Sequence, residues 1–421
     1  MKLIDKIAEV LKVPICDNCL GRITAGQLLS GIDNKKRGKI IRHFVAFLID
    51  SGEKLNVDFS NFYGIKFHNV KLKVEKREKC YICNNFFDED LKKIAKKVIE
   101  KIRKYEFKTF LIGCKPTNEM LKKEEEFFEK IGIEFVETIR EEIDREVGKI
   151  ISKKLRKKVD YKNPEIVVIL DLENETIRLQ IKSLFVYGKY KKLVRGIPQS
   201  KWICNICKGK GCIRCEGKGK LYPTSIQEII EKPLLKATKA KEAKFHAEGR
   251  EEIDARCLAY RQFVIELVKP VKRKIDLKKI REQINKSKKI FVSQLKIVGK
   301  NKVKEIKTKR AEKTYLVRVI FAKEIDKEKL KELKELERIV IKQKTPLRVL
   351  HRRSDKIRRR KVLKISWKLI GKKELELKIR AQAGLYIKEL VTGDYGRTKP
   401  SICEILNNEA KKILLDVIKI H

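Results

Sequence analysis

The chain has 421 residues, of which 42% are hydrophobic and 38% are charged. This composition predicts two or three folded domains and excludes wholesale disorder. The 104 Lys and Arg against 57 Asp and Glu leave a net charge of +47. The charged surface of a thermophile's protein would explain many charged residues but not so large an excess of one sign. We therefore expect a polyanionic partner, with nucleic acid as the first candidate and an anionic membrane as the second.

The N-terminal sequence MKLIDKIAEVLKVP is no signal peptide, and no apolar run could span a bilayer. We therefore expect a cytoplasmic protein without a membrane partner. Eight of the 11 cysteines form CxxC pairs, the first two being Cys16/Cys19 and Cys80/Cys83. Thiolates at this spacing favour zinc over disulfides, and four ligands from both pairs would complete one tetrahedral site. Two unrelated knuckles or a redox pair are the alternatives. Three isolated cysteines are expected in the core: Cys114, Cys257 and Cys403.

An α/β pattern follows in the chain. Apolar residues at helical spacing predict a helix over 137–157, and the runs IVVIL and IRLQIK predict two strands around a turn at Glu173–Glu175. The next segment, YGKYKKLVRG, predicts a basic aromatic loop. Its cations could meet phosphates while Tyr187 and Tyr190 stack on bases, or it is a solvated edge with two partly buried tyrosines. Roughly residues 60–197 resemble a THUMP domain, the RNA-binding module of several tRNA-modifying enzymes.

The segment CNICKGKGCIRCEGKG, residues 204–219, is a tandem repeat of CxxCxGxG. Each copy resembles the unit of DnaJ-type zinc domains, although the remaining architecture of that family is missing. Four thiolates within twelve residues can hold one zinc ion, and the glycines permit tight turns. We expect a metal-stapled linker here, with the ligands Cys204, Cys207, Cys212 and Cys215.

Acidic residues crowd the stretch FHAEGREEIDARCLAYRQFVIEL, residues 245–267, which predicts a loop that leads into a strand. Alternating Glu and Arg could form a self-neutralising surface turn. The stretch resembles the catalytic motif of pseudouridine synthases, in the form used by the archaeal tRNA pseudouridine-54/55 synthase family. The matching residues are Gly249, Arg250, Glu251, Glu252 and Asp254. The resemblance extends over the whole chain and implies that Asp254 is the nucleophile.

Two further motifs carry residues that the resemblance assigns to the site. In EKTYLVRVIFA, Tyr315 would stack on the target base from a strand, the alternative being a core tyrosine. In AGLYIKEL, Lys388 would pair with Asp254 while Leu385 and Tyr386 pack around the site; a surface lysine is the alternative. Arg250 would help to open and hold the flipped nucleotide.

A run of cations occupies TPLRVLHRRSDKIRRRKVLKI, residues 345–365. Such a run is usually a solvated face, but this one is so one-sided that we expect an RNA-gripping loop, in which His351 contacts phosphate or base. The segment GDYGRTKPS could add phosphate contacts. The candidate RNA-binding cations are Arg348, Arg352, Arg353, Lys356, Arg358, Arg359, Arg360, Lys361, Arg397 and Lys399.

We therefore expect a multidomain α+β protein. Residues 1–200 would be an accessory zinc-binding and THUMP-like region, 201–220 a zinc linker, and 221–421 a catalytic domain with a mixed or antiparallel sheet and flanking helices. The resemblance implies uridine isomerisation at positions 54 and 55 of the tRNA TΨC arm. We expect structural zinc, no catalytic cofactor or small-molecule cosubstrate, tRNA as the partner, and a monomer.

Two other functions compete with this one. A THUMP-bearing methyltransferase or thiolase would need a Gly-rich strand-helix turn or an ATP loop, and the only Gly-rich segment is the cysteine repeat. A non-catalytic zinc protein that binds or chaperones RNA would explain the charge and the cysteines. It would leave Asp254, Tyr315 and Lys388 without a common purpose.

Overall fold

The computed structural model describes residues 2–71, 74–76 and 78–421, apart from the side chain of Arg352. The chain divides into two compact units, Met1–Lys182 and Ser183–His421. The sequence places the corresponding boundary at residue 200. Within the described ranges, every helix is too short or too polar to span a bilayer.

The first unit packs helices against a small sheet through one continuous apolar core. Its sheet has the strand order β2-β1-β3-β4, with β1 parallel to β2 and β3, and β4 antiparallel to β3. The described strands are β1 (Thr109–Lys115), β2 (Lys158–Val159), β3 (Ile166–Asp171) and β4 (Thr176–Ile181). The helices are α1 (Leu3–Val10), α2 (Asp17–Ala25), α3 (Asn34–Asp50), α4 (Phe86–Glu89), α5 (Leu91–Ile102), α6 (Asn118–Ile131) and α7 (Ile139–Leu155), with a 3-10 turn at Phe59–Phe62.

Local sequence signals explain these elements. Thr138 begins α7 with a capping box, in which its hydroxyl accepts from the Glu141 amide and the Glu141 carboxylate accepts from the Thr138 amide. Alternate residues of β1 face the core, as period-two strands with one covered face do. The predicted helix and the two predicted strands are therefore confirmed as α7, β3 and β4.

The second unit is built on a ten-stranded mixed sheet of the described residues, in the order β13-β10-β11-β12-β9-β14-β7-β5-β8, with β6 paired to β7. The pair β14–β7 is parallel and the other pairs are antiparallel, which confirms the predicted mixed sheet. The strands are β5 (Leu184–Lys192), β6 (Glu242–Ala247), β7 (Arg256–Val268), β8 (Ile290–Val298), β9 (Lys313–Phe321), β10 (Val340–Gln343), β11 (Arg358–Gly371), β12 (Glu374–Ala381), β13 (Thr398–Lys399) and β14 (Ala410–Ile420).

Two apolar cores hold helices against this sheet. One packs α8 and α9 on the strands around β5 and β7, and the other packs α12 and α13 on β9, β12 and β14. The described helices are α8 (Ile226–Thr238), α9 (Leu277–Asn285), α10 (Asn301–Thr308), α11 (Lys329–Glu332), α12 (Ile387–Thr392) and α13 (Ile402–Leu406). Short 3-10 helices lie at Ile213–Cys215, Leu333–Glu337 and Leu347–Arg352.

Two segments that the sequence predicts as loops are strands. The tyrosines and lysines of YGKYKK belong to β5, which is hydrogen-bonded between β7 and β8. Likewise, Arg358–Lys361 opens β11 and pairs with β10. Basic and aromatic residues resemble a loop locally, but pairing with strands distant in sequence decides the structure.

Candidate active site and cysteine centres

The loop of residues 248–255 connects β6 to β7 and carries the acidic cluster. Gly249 has a positive φ of 71°, and a Cβ there would lie 3.2 Å from Nη1 of Arg261. Glycine therefore suits both the backbone turn and the close approach of the guanidinium. The Gly249 carbonyl accepts a hydrogen bond of 2.9 Å from Nε2 of Gln199, which fixes the start of the loop.

Buried hydrogen bonds and an ion pair hold the 248–255 loop in place. Glu251 accepts a hydrogen bond of 2.9 Å from the Tyr190 hydroxyl and lies 2.9 Å from Nε of Arg261. Arg261 also donates to the Glu248 carbonyl at 2.6 Å. Burial, reinforced by the Glu251 charge, raises the pKa of Tyr190 and keeps its hydroxyl a donor. Glu251 is thus a structural residue, as buried paired carboxylates commonly are.

Two cations of YGKYKKLVRG, for which the sequence left phosphate contact and a solvated edge open, hold the same loop. The ammonium of Lys192, which is fully buried, donates to the carbonyls of Glu252 and Ile253 at 2.9 and 2.7 Å. Arg195 donates to the carbonyl of Asp254 at 2.8 Å. Because Tyr190 and Lys192 are fully buried, neither side chain can contact RNA.

The central ion pair joins the loop to α12. Nζ of Lys388 lies 2.6 Å from Oδ2 of Asp254 and 3.1 Å from Oε2 of Glu252. Partial burial alone would raise the pKa of Asp254, but the hydrogen bond and charge of Lys388, with the charge of Arg348, outweigh it and lower that pKa. The carboxylate is therefore ionised at neutral pH. Its side chain is 61% exposed, so an incoming group can reach it.

Arg348 extends this network, a role that the sequence did not predict because it places Arg348 only among the RNA-binding cations. Its guanidinium lies 2.5 Å from Oε1 of Glu252 and 2.6 Å from Oε1 of Glu389. Glu252 thus lies between the cations Arg348 and Lys388. Glu389, next to Lys388 on α12, is a buried acid that the Arg348 guanidinium neutralises.

A cavity of about 570 Å³ opens beside Asp254. Tyr315 on β9 lines it, together with Leu385 and Tyr386, which precede α12. Burial raises the pKa of Tyr315 to about 12, so its hydroxyl stays protonated. Arg250 is also at the wall, where it donates to the Ser200 hydroxyl at 3.2 Å. The structure therefore brings Asp254, Lys388, Tyr315 and Arg250 together.

The predicted RNA-binding cations fall into three groups. Arg353, Arg358 and Arg360 line the cavity, and Arg353 donates to the Tyr386 hydroxyl at 2.7 Å. Arg397 is engaged within the protein, donating to the Thr345 carbonyl at 2.9 Å and to Asp355 at 2.6 Å. Arg359 and Lys399 are exposed and are not part of the cavity wall. The side chain of Arg352 lies outside the described residues.

The first cysteine centre unites the two predicted pairs, Cys16/Cys19 and Cys80/Cys83, in one buried group. The four Sγ atoms all lie within 4.8 Å of one another, and those of Cys16 and Cys83 are 3.6 Å apart. Zn–S bonds of about 2.3 Å in a tetrahedron place sulfurs roughly 3.8 Å apart. The group can therefore hold a metal ion.

The second centre, formed by Cys204, Cys207, Cys212 and Cys215, fits the same geometry. Two of its Sγ pairs are 3.8 Å apart, and backbone amides of Gly211 and Gly219 donate to sulfur at 3.2 and 3.1 Å. These two glycines occupy equivalent places in the two copies. A Cβ on Gly211 would lie 2.6 Å from the Gly217 carbonyl oxygen, and one on Gly219 2.3 Å from that of Gly209. The repeat thus requires glycine for close backbone contact.

Comparison with known proteins identifies the class. The family model "Pus10, C-terminal" matches residues 185–421, and "Pus10 THUMP domain, archaeal" matches residues 94–171, inside the predicted THUMP range. The fold and site thus place the chain among the pseudouridine synthases that carry a THUMP module.

Three curated relatives of similar length identify the family within this class, and all three are named "tRNA pseudouridine synthase Pus10". The protein of Methanocaldococcus jannaschii is 42% identical, covering 98% of this chain and 93% of the relative. Those of Methanothrix thermoacetophila and Methanopyrus kandleri are 37% and 38% identical over 99% of this chain and 94% and 98% of their own lengths. The chain belongs to the Pus10 family. Among solved structures, a Cbf5-Nop10-Gar1 complex matches with a TM-score of 0.30 and 13% identity, over 55% of this chain and 48% of that chain.

Proposed function

We propose that this chain converts uridine to pseudouridine in tRNA, at positions 54 and 55 of the TΨC arm, with Asp254 as the reacting carboxylate. The observation that carries the proposal is the 2.6 Å pair of Lys388 and Asp254 at the edge of a cavity that Tyr315 lines. The names of the relatives support tRNA as the substrate.

The reaction needs one reactive carboxylate and no cofactor. The N1–C1′ bond of the nucleotide breaks, the uracil rotates, a C5–C1′ bond forms, and C5 loses a proton while N1 gains one. Asp254 starts this either as a nucleophile at C1′ or as the base that initiates glycal formation. Lys388 keeps it ionised, because a partly buried carboxylate without a cation would tend to bind a proton.

The cavity is suited to a base taken out of a folded RNA. Extruding the base costs a few kcal/mol, which contacts in the pocket must offset. Tyr315 offers a ring for stacking, Leu385 and Tyr386 enclose the base, and Arg250 helps to hold the opened nucleotide. The guanidinium groups around Tyr386 lie where phosphates of the flanking nucleotides would approach, and they are the proposed phosphate contacts: Arg353, Arg358 and Arg360.

The proposal also includes the cations outside the cavity and the two cysteine groups. Arg359 and Lys399 are exposed and can bind more distant phosphates, whereas Arg397 holds the loop at Thr345. The two cysteine groups hold structural zinc, because thiolate-only tetrads with sulfur spacings of 3.6 to 3.8 Å suit that ion. Reduced thiolates of this kind fit a cytoplasmic protein.

A transcript assay tests the proposed reaction and its position. Unmodified tRNA carrying tritium at C5 of uridine releases tritium to water as the C5–C1′ bond forms. Wild-type protein should release tritium from the natural transcript. A transcript with cytidine at both 54 and 55 should release none, and the two single replacements should each retain one site. RNA binding without tritium release would favour the non-catalytic zinc protein instead.

A further inference from the structure

The second cysteine centre carries an exposed isoleucine inside each of its two CxxC turns. Ile213 lies inside the second CxxC and is 99% exposed; Ile206 lies inside the first and is 61% exposed. Neither side chain packs in any of the apolar cores of the described residues. Large apolar side chains that are exposed and lie outside every core of the described residues are available for contact with a partner.

The segment that carries the two isoleucines is also strongly basic. The segment of residues 201–220 contains six Lys or Arg and a single acid, Glu216, which is paired with Lys218. Exposed cations flank both isoleucine tips, among them Lys210 next to the first turn and Arg214 next to Ile213. One-sided positive charge around small apolar patches matches a nucleic acid, whose phosphates and base or ribose faces it complements, better than it matches a protein partner.

The cysteine module is physically continuous with the cavity wall. A bridge between Ile203 and Lys220 and a hydrogen bond of 2.9 Å from the Leu221 amide to the Trp202 carbonyl close its base. Trp202 packs edge-on against Tyr222, with ring centroids 5.5 Å apart. Trp202 also lines the cavity beside Asp254. The residue at the base of this module is therefore part of the cavity wall.

We propose that the outer face of residues 204–219 is an RNA-binding surface that contacts the substrate RNA next to the nucleotide held in the cavity. Lys210 and Arg214 bind phosphates, and Ile206 and Ile213 pack on ribose or base faces. The module is thus part of the substrate-binding surface. This inference rests on the proposed function for the identity of the RNA.

Two double variants of the full-length protein test it. Lys210→Gln with Arg214→Gln removes charge, and Ile206→Ser with Ile213→Ser removes the apolar tips. Both pairs are exposed, so metal content, measured by atomic absorption, should match wild type. The control is Lys372→Gln with Lys373→Gln, in the turn between β11 and β12. That turn is at the opposite end of the hairpin from Arg358, roughly 40 Å away at 3.3 Å per residue.

Binding of unmodified tRNA transcript is measured by filter retention across a KCl series. The charge variant should raise Kd about tenfold and reduce the slope of log K against log salt by roughly 1.5 to 2, near 0.9 for each phosphate lost. The isoleucine variant should raise Kd about threefold to tenfold with the wild-type slope. Binding and slopes equal to wild type in both variants would overturn the inference, as would a wild-type protein that does not bind tRNA. Wild-type protein that binds tRNA without releasing tritium would refute the proposed reaction while the binding data still decide this surface.

Discussion

Replacing Lys192 by Met should nearly abolish turnover while leaving the fold intact. The ammonium of Lys192 donates to the carbonyls of Glu252 and Ile253, directly before Asp254. Hydrogen bonds from a charged donor contribute about 1.5 to 3 kcal/mol each, so the loop loses roughly 3 to 6 kcal/mol of local restraint.

The change in global stability should be much smaller than this local loss. Burial lowers the pKa of Lys192 from 10.5 to about 8, so the charged form costs up to about 3 kcal/mol in the folded protein. Met relieves that cost, which offsets much of the lost hydrogen bonding. We therefore expect a shift in thermal midpoint of only a few degrees. A misplacement of the reacting group by about 1 Å costs on the order of 100-fold in rate, and we expect a loss of that size.

Tritium release under single-turnover conditions and thermal unfolding measure the two effects together. Lys296→Met is the matched control, an exposed lysine on β8 of the same sheet, and should resemble wild type in both assays. Since the folded pKa lies below the unfolded one, wild-type stability should rise between pH 8 and 10.5, and Lys192→Met should lack that rise. Wild-type turnover in Lys192→Met would show that the buried ammonium does not position the loop.

Three further outcomes are expected. Lys388→Met should reduce turnover roughly 10-fold to 100-fold and shift the acidic limb of the pH-rate profile to higher pH, because Asp254 loses the cation that lowers its pKa. Lys388→Arg should restore part of the rate. An acidic limb at the wild-type pH in Lys388→Met would contradict the pairing. Cys204→Ser with Cys212→Ser should lower the bound metal by one equivalent in atomic absorption, whereas two equivalents in the variant would exclude these ligands. Burial raises the pKa of Asp144 to about 7, so its ionisation destabilises the fold as pH rises from about 4 to 7. Asp144→Asn should therefore stabilise the protein at pH 8 by roughly 1 to 2 kcal/mol, after allowance for the partial exposure of the side chain. A denaturation midpoint equal to that of wild type would refute this.

The sequence predicts the features that are carried by short motifs. The two cysteine groups follow from CxxC spacing, since chelation requires thiolates within a few residues or in a second such pair. The placement of Tyr315 on a strand and of Lys388 at the start of a helix follows from local periodicity. The association of Lys388 with Asp254, 134 residues away, came from resemblance to a family and not from any local pattern.

The buried contacts that hold the 248–255 loop could not be predicted from local sequence. Tyr190 and Lys192 have the composition of a basic, aromatic surface segment, and only the pairing of β5 with β7 turns them toward Glu251 and the loop carbonyls. Burial of a lysine is rare, and it is tolerated here because its ammonium is satisfied by backbone carbonyls. Long-range register, not propensity, determines which face of a strand is inside.

Asp254→Asn provides the most direct test of the central claim, because asparagine keeps the shape of the side chain but removes the reacting charge. Wild type and variant would be incubated with unmodified tRNA transcript, and pseudouridine would be mapped by carbodiimide-dependent primer-extension stops. We predict stops at positions 54 and 55 with wild type and none with Asp254→Asn, while both proteins bind tRNA. Stops of equal strength with Asp254→Asn would contradict the assignment of Asp254 as the reacting carboxylate.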